Sequence, residues 1–278
     1  MMRKLSMALT AVAVVALMAT AAFAQPTIGG MVYISNGYDF DASKYTFDGF
    51  GRVNVSGSAS DKVDYYVRLQ GDWGKDASGF SLPLAYIDVK DLVGAGSTLR
   101  LGRQSITGWS VHNNFYSAGL FSGTRNAASL TVNAGDNVTL RGFVDLVANS
   151  GTEEPQLGLK ATFNVGAGSL GVNVRNQDVE GKRETGYSVD AAVSFAGVNL
   201  NAEFGKKADG KDIQIVGAEF DAITNAIGWN NFVEYDVAAK AWALGLSKTH
   251  DNKLTTAFTI EGGKDASTTL TTEVYVSF

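Results

Sequence analysis

The chain has 278 residues, and its first 24 read as an export signal, leaving 254 residues of mature protein, too many for a minimal fold and too few for several large domains. All 32 glycines fall in the mature part, with only 3 prolines and no cysteine, which excludes a disulfide framework, a thiolate metal site and a thiol nucleophile. A hydrophobic share of 45% excludes a disordered chain, and a formal charge that moves from −5 to −7 once Arg3 and Lys4 are removed disfavours nucleic acid as a partner.

The signal comes first in the chain. Arg3 and Lys4 make a positive start, the run from Ala8 to Ala21 is apolar apart from two threonines, and Ala22, Phe23 and Ala24 supply the cleavage pattern before Gln25. An uncleaved anchor is the competing reading. No later stretch approaches the roughly 20 apolar residues of a transmembrane helix.

Beyond the signal the hydrophobic period is two. From Val63 to Trp73 the odd positions are Val63, Tyr65, Val67, Leu69, Gly71 and Trp73, while Asp64, Tyr66, Arg68, Gln70 and Asp72 alternate with them. The same split recurs in Leu157 to Val165, Tyr187 to Phe195, Val198 to Phe204 and Leu270 to Phe278. No segment carries an apolar stripe of helical period and length. Sixteen strands are expected, over 27–38, 46–58, 62–73, 82–91, 97–106, 122–133, 137–148, 155–165, 169–177, 184–195, 198–206, 212–221, 227–236, 240–249, 254–263 and 268–278. Fourteen is the alternative, since the bounds of the twelfth to fifteenth are weakest. Every second connection is tight, as at Ala134 to Asp136 and Ala196-Gly197, and the string GKDAS recurs at Gly74 to Ser78 and Gly263 to Ser267 as turn chemistry. Pro83 and Pro155 are placed at strand starts, where a missing N–H is tolerated.

An even strand count brings both termini to one side, as a closed antiparallel barrel spanning a membrane requires. At about 10 residues per spanning strand, the arithmetic leaves roughly 6 for each connection. The expected fold is therefore an all-β transmembrane barrel over 25–278. A secreted β-sandwich is the soluble alternative, but Asp, Glu and Arg on the polar face of strand after strand fit a wet lumen better than an outer coat.

The segments LAYIDVK and STLRLGRQ, residues 84–90 and 97–104, resemble the strand-turn-strand signature of the Gram-negative general porins. The resemblance implies an outer-membrane diffusion channel for small hydrophilic solutes, trimeric, set in outer-membrane lipid and lipopolysaccharide, without a cofactor. It further implies that the next connection, Thr107 to Phe121, folds into the lumen and offers Trp109, His112, Asn113, Asn114, Phe115 and Tyr116 as a constriction. An exterior loop closing over its own aromatics is the alternative. Phe278 resembles the terminal aromatic by which such barrels reach the assembly machinery, with Leu270, Val274 and Val276 on its face. The family often has an aromatic where Val276 stands. It also usually carries loop carboxylates, yet no Asp or Glu occurs from Gln104 to Gly135.

Alternation assigns Arg52, Arg68, Arg100, Arg125 and Arg141 to the lumen, and Arg103 is grouped with them although its face is less certain. From the tenth strand onward the lumen receives Asp190, Glu203, Glu219, Glu234, Glu261 and Glu273. A basic arc facing an acidic one creates a transverse field. The competing reading makes these residues cross-strand pairs that tune nothing. Net acidity points to cations and the arginines to anions, so ion preference stays open. Ser110, His112 and Asn113 superficially resemble a hydrolase set, but acyl transfer also needs geometry and an oxyanion hole. His250 reads as a solvated turn residue. Asp39, Asp41 and Asp48 lack the spacing of a dedicated calcium loop, and no metal site is expected.

Overall fold

The computed structural model describes residues 26–74, 78–115, 118–146, 155–251 and 253–278. The expected export signal and Tyr116 lie outside the described residues. The alternating segments form sixteen antiparallel strands, the first eight being β1 Thr27–Asp39, β2 Lys44–Ser60, β3 Val63–Gly74, β4 Ser78–Lys90, β5 Thr98–Ser105, β6 Thr124–Asn133, β7 Val138–Asp145 and β8 Leu157–Val165. The others are β9 Gly168–Val179, β10 Lys182–Phe195, β11 Val198–Lys206, β12 Asp212–Phe220, β13 Asn230–Asp236, β14 Ala241–Thr249, β15 Leu254–Gly263 and β16 Ala266–Ser277. Each pairs with its sequence neighbours, and β16 pairs with β1, so the sheet is a closed barrel without a free edge.

The β1–β16 seam runs from Asp39 opposite Thr269 to Met31 opposite Ser277, and Phe278 extends it. Phe278 N–H donates to Gly30 O at 3.1 Å, and Gly30 N–H donates to Phe278 O at 2.8 Å. The Phe278 ring lies where a Cβ on Gly30 would stand, so a glycine is needed beneath it. Leu270, Val274 and Val276 share the outer face with that ring, paired to Tyr38, Ile34 and Val32.

Exposure is inverted relative to a soluble protein. On the outer face Leu159 is 58% exposed and Val189 45%, whereas Asn173 at 1% and Asp190 at 3% are buried on the inner face. Soluble sandwiches bury apolar faces against a second sheet. Here one sheet closes on itself, and a small apolar cluster lies inside it.

Two local features depart from expectation. Between β12 and β13 stands a helix, α1 (Asp221–Ile227), which delays β13 to Asn230. Asp221 favours the start by complementing the helix dipole. Gly228 ends it at φ 68°, with its N–H on Thr224 O at 2.8 Å. Asn231 straps it to β13 by donating to Phe220 O at 2.8 Å and Thr224 Oγ1 at 3.1 Å. Seven residues are too few for a periodic signal. Pro83 lies inside β4, not at its start. The β3–β4 register shifts beside it, and β5 pairing begins only at Ala85, so no ladder bond needs its missing N–H. Among the described residues no helix is long and apolar enough to cross a membrane, which does not bear on strands.

Candidate functional site

Paired residues in an antiparallel ladder share a face, so the inner face can be followed around the barrel. One row runs Asp88, Arg100, Ser129, Phe143, Gly158, Arg175. The next contains Thr131, Arg141, Lys160, Asn173 and Ser188. Further on come Asp190 with Glu203, Asn199 with Glu219, and Glu234 with Ala243 and Glu261. Glu273 lies opposite Ser35 and Ala257. Arg52 pairs with Met31 and Gln70, Arg68 with Asn54, and Arg125 with Gln104.

Arg103 is corrected. It pairs with Ala85 and Asn126, three positions from Arg100 with no register shift between, and therefore lies on the outer face.

The connection between β5 and β6 begins at Ile106, makes a 3-10 turn over Thr107–Trp109 and returns at Gly123. Its neck is closed by Ile106 N–H on Gly123 O at 3.0 Å and Gly123 N–H on Thr107 Oγ1 at 2.9 Å. Ile106, Leu120 and Phe121 pack on the inner-face residues Ala127, Phe143, Ile213 and Ile215, flanked by Trp109 and Phe115. Each fully buried large side chain contributes about 1.5–3 kcal/mol.

Around that cluster the wall's charged groups meet loop groups. Glu234 accepts the N–H groups of Asn113, Asn114 and Phe115 at 2.5, 2.7 and 2.9 Å. Glu219 accepts from Asn113 Nδ2 at 2.6 Å and Glu261 from Asn114 Nδ2 at 3.1 Å. Glu203 accepts from Leu120 N–H at 3.0 Å and Ser188 Oγ at 2.7 Å, and it faces His112 Nε2 at 3.2 Å. Lys160, buried, bridges Asp190 at 2.6 Å and Trp109 O at 2.8 Å. Arg175 donates to Leu120 O at 2.9 Å and Gln156 Oε1 at 3.0 Å. Lys160 and Arg175 were missed, although the outward Leu159 and Ala161, and Val172 and Val174, mark them as inward by parity.

The His112 ring is held by Glu203 and, through Nδ1, Asn201 at 3.2 Å, while Ser110 Oγ accepts only the His112 backbone N–H at 3.4 Å. The Ser/His pair is therefore not assembled as nucleophile and base. His250 is not free in its turn either, with Nε2 3.2 Å from Thr256 Oγ1 and its ring edge-on to Trp229.

The wall of β1 to β5 and β16 is built differently. Tyr33 stacks on Phe50 at 4.7 Å, and Arg52 lies over Phe50 at 5.5 Å. Arg68 lies over Tyr66 at 5.6 Å, Tyr66 stacks on Tyr86 at 5.2 Å, and Arg100 lies over Tyr86 at 3.8 Å. Arg100 is bound twice to Asp88, at 2.7 and 2.8 Å, and Arg125 meets Asp145 at 3.2 Å. Tyr33 donates its hydroxyl to Glu273. Among the described residues Arg52, Arg68 and Arg141 meet no carboxylate within 4.0 Å.

Behind the loop, a cavity of about 330 Å³ is lined by Leu120, Arg175, Gln177, Lys207 and Asp209. In the connection between β11 and β12, burial pulls the Lys207 ammonium below its ordinary range, and the bond from Lys211 holds the Asp209 carboxyl low. No group of three potential metal ligands converges among the described residues.

No family model and no curated protein sequence matches the chain. Solved structures of Rhodopseudomonas blastica porin do match in fold. A double mutant superposes with a TM-score of 0.69 at 16% identity, covering 91% of this chain and 100% of that one. A second double mutant gives 0.68 at 16%, and a triple mutant 0.69 at 16%, with the same coverage.

Proposed function

We propose that the barrel is an outer-membrane porin, a water-filled channel through which ions and small hydrophilic solutes diffuse passively. The observation that carries this reading is the inside-out wall. Exposed apolar side chains ring a closed barrel as lipid requires, and charged side chains line its interior as water requires. The export signal, cleaved near Ala24 and Gln25, delivers the chain across the inner membrane. Phe278 addresses it to the assembly machinery, and three copies associate among outer-membrane lipid and lipopolysaccharide.

The loop gives the channel its constriction. Bonded to side chains of β8 to β15, the loop residues 109–115 and 118–120 occupy one side of the lumen and leave the aromatic and arginine wall as the other bank of the path. Solutes would pass between amide groups and guanidinium groups. Refolded mature protein in a planar bilayer should give stepwise conductance proportional to salt. Its absence sinks the channel reading.

A substrate-specific channel is the second reading. It is favoured by a cavity of about 590 Å³ lined by Val111, Asn164, Ser169, Asn199, Asn201 and Glu219, whose polar side chains pair well with hydroxylated solutes. Saturation of flux with rising sugar concentration would favour it over free diffusion.

A further inference from the structure

We infer that the cavity of about 590 Å³ on the loop bank binds a small hydroxylated primary ammonium, an amino sugar such as glucosamine, with Glu219 as the seat of its charge. The hydroxylated part of the solute rests on the substrate-specific reading, and the ammonium is assigned from the charge of the cavity wall.

The cavity follows from the ladder. One row of the inner face runs Asn164, Ser169, Ala192, Asn201, Gly217, and the next carries Ser194, Asn199 and Glu219. Ala192 places a single methyl group between the polar side chains of Ser169 and Asn201, which leaves the wall hollow at that point. Glu219 lies diagonal to Asn201 across β11 and β12. Such neighbours are about 7–8 Å apart, a span that one substituted sugar ring can bridge.

Glu219 is the one charged side chain lining the cavity. Among the described residues no basic nitrogen lies within 4.0 Å of its carboxylate. Its Oε1 accepts from Asn113 Nδ2 at 2.6 Å, a neutral donor that leaves Oε2 and the charge available. Other acids of this bank are filled, Glu234 by three loop N–H groups and Asp190 by Lys160. The rest of the polar lining is neutral. Asn201 gives Oδ1 to His112 Nδ1 at 3.2 Å and keeps its amide NH₂, and Ser194 and Asn199 are bonded to each other at 2.6 Å. Asn164 and Ser169 have no side-chain hydrogen bond among the described residues.

A neutral sugar would satisfy these amides and hydroxyls but leave the carboxylate unmatched. An ammonium on the same ring adds a charge-assisted bond, roughly twice as strong as a neutral one. An anion is repelled, and an amine without hydroxyls leaves the amide groups unused.

The test is calorimetric titration of glucosamine into the refolded mature barrel in detergent at low salt, with glucose, N-acetylglucosamine and ethylamine as comparison ligands. Glucosamine should bind at least fivefold more tightly than any of the three, and raising the salt should shrink its lead. Glu219→Gln retains an oxygen for Asn113 Nδ2, so it should abolish the preference for glucosamine and spare the affinity for glucose. Asn164→Ala with Ser169→Ala should weaken both sugars severalfold, and Arg103→Gln should change neither. Should Glu219→Gln not refold, the wild-type comparison of glucosamine with N-acetylglucosamine still decides, because acetylation removes the charge and keeps the ring. Wild-type protein that ignores glucosamine or fails to prefer it, or a refolded Glu219→Gln that keeps the preference, overturns the site. Because binding is read without flux, a barrel that binds glucosamine but does not pass it fails only the channel reading.

Discussion

The two banks of the lumen carry charge for opposite purposes. On β10 to β15 the carboxylates of Asp190, Glu203, Glu219, Glu234 and Glu261 accept hydrogen bonds from the loop or from neighbouring wall side chains, so their charges hold structure in place. On β2 and β3 the guanidinium groups of Arg52 and Arg68 lie on aromatic faces without an ionic partner among the described residues. The difference explains why the loop contains no acid. A loop of amides and backbone donors needs an acidic wall to bind, and an acidic loop would be repelled by it.

The sharpest way to break this contrast is to remove Glu234, whose two oxygens collect three backbone N–H groups. Hydrogen bonds to a charged group are worth about 1.5–3 kcal/mol each, so Glu234→Ala should loosen the loop by about 3 kcal/mol or more. Amide exchange at 113–115 should accelerate about a hundredfold, and single-channel conductance should rise. Glu219→Ala, which removes one bond to an exposed amide, should do far less. Equal and small effects from both variants would mean that the apolar cluster alone holds the loop.

Next in size is the buried pair Lys160 and Asp190, each under a tenth exposed. Removing one partner strands the other charge at a cost of about 3–5 kcal/mol, while removing both is far milder. Lys160→Met and Asp190→Asn should each lower the thermal unfolding midpoint of the barrel markedly, and the double variant should recover much of the loss. An additive double variant would show that the two groups act independently. Lys160→Met also releases Trp109 O, so its effect on conductance should exceed that of Asp190→Asn.

Much of this was legible from alternation, because period two alone fixes which residues share a face once strand limits are known. The bounds of β11 and β15 are those the sequence pattern indicates, and the inward side of Arg52, Arg68 and Glu234 follows from parity. What stayed hidden depends on three-dimensional pairing. The pattern ranks Glu203 and Glu273 as equivalent acids, yet one meets His112, Ser188 and the Leu120 amide while the other takes a tyrosine hydroxyl. Ile213 and Ile215 face inward against the rule of a polar lumen, because the loop brings its own apolar residues to cover them. Helix α1 escaped because its signal is shorter than the window that detects periodicity.

The smallest expected effects sharpen the contrast by sign and by face. Arg141→Ala deletes an inner-face charge that meets no carboxylate among the described residues, and the reversal potential in a salt gradient should move toward cations. Arg103→Ala deletes the same charge two strands away, but from the outer face, where it pairs with Ala85 and Asn126. Exposed charges are screened beyond roughly 10 Å at moderate salt, and here the barrel wall also intervenes. The reversal potential should therefore stay within measurement error of wild type. A shift for Arg103→Ala as large as that for Arg141→Ala would mean that the net charge of the barrel, not the placement of charge along its inner wall, sets ion preference. The division between a structural bank and a solute-facing bank would then lose its meaning for permeation.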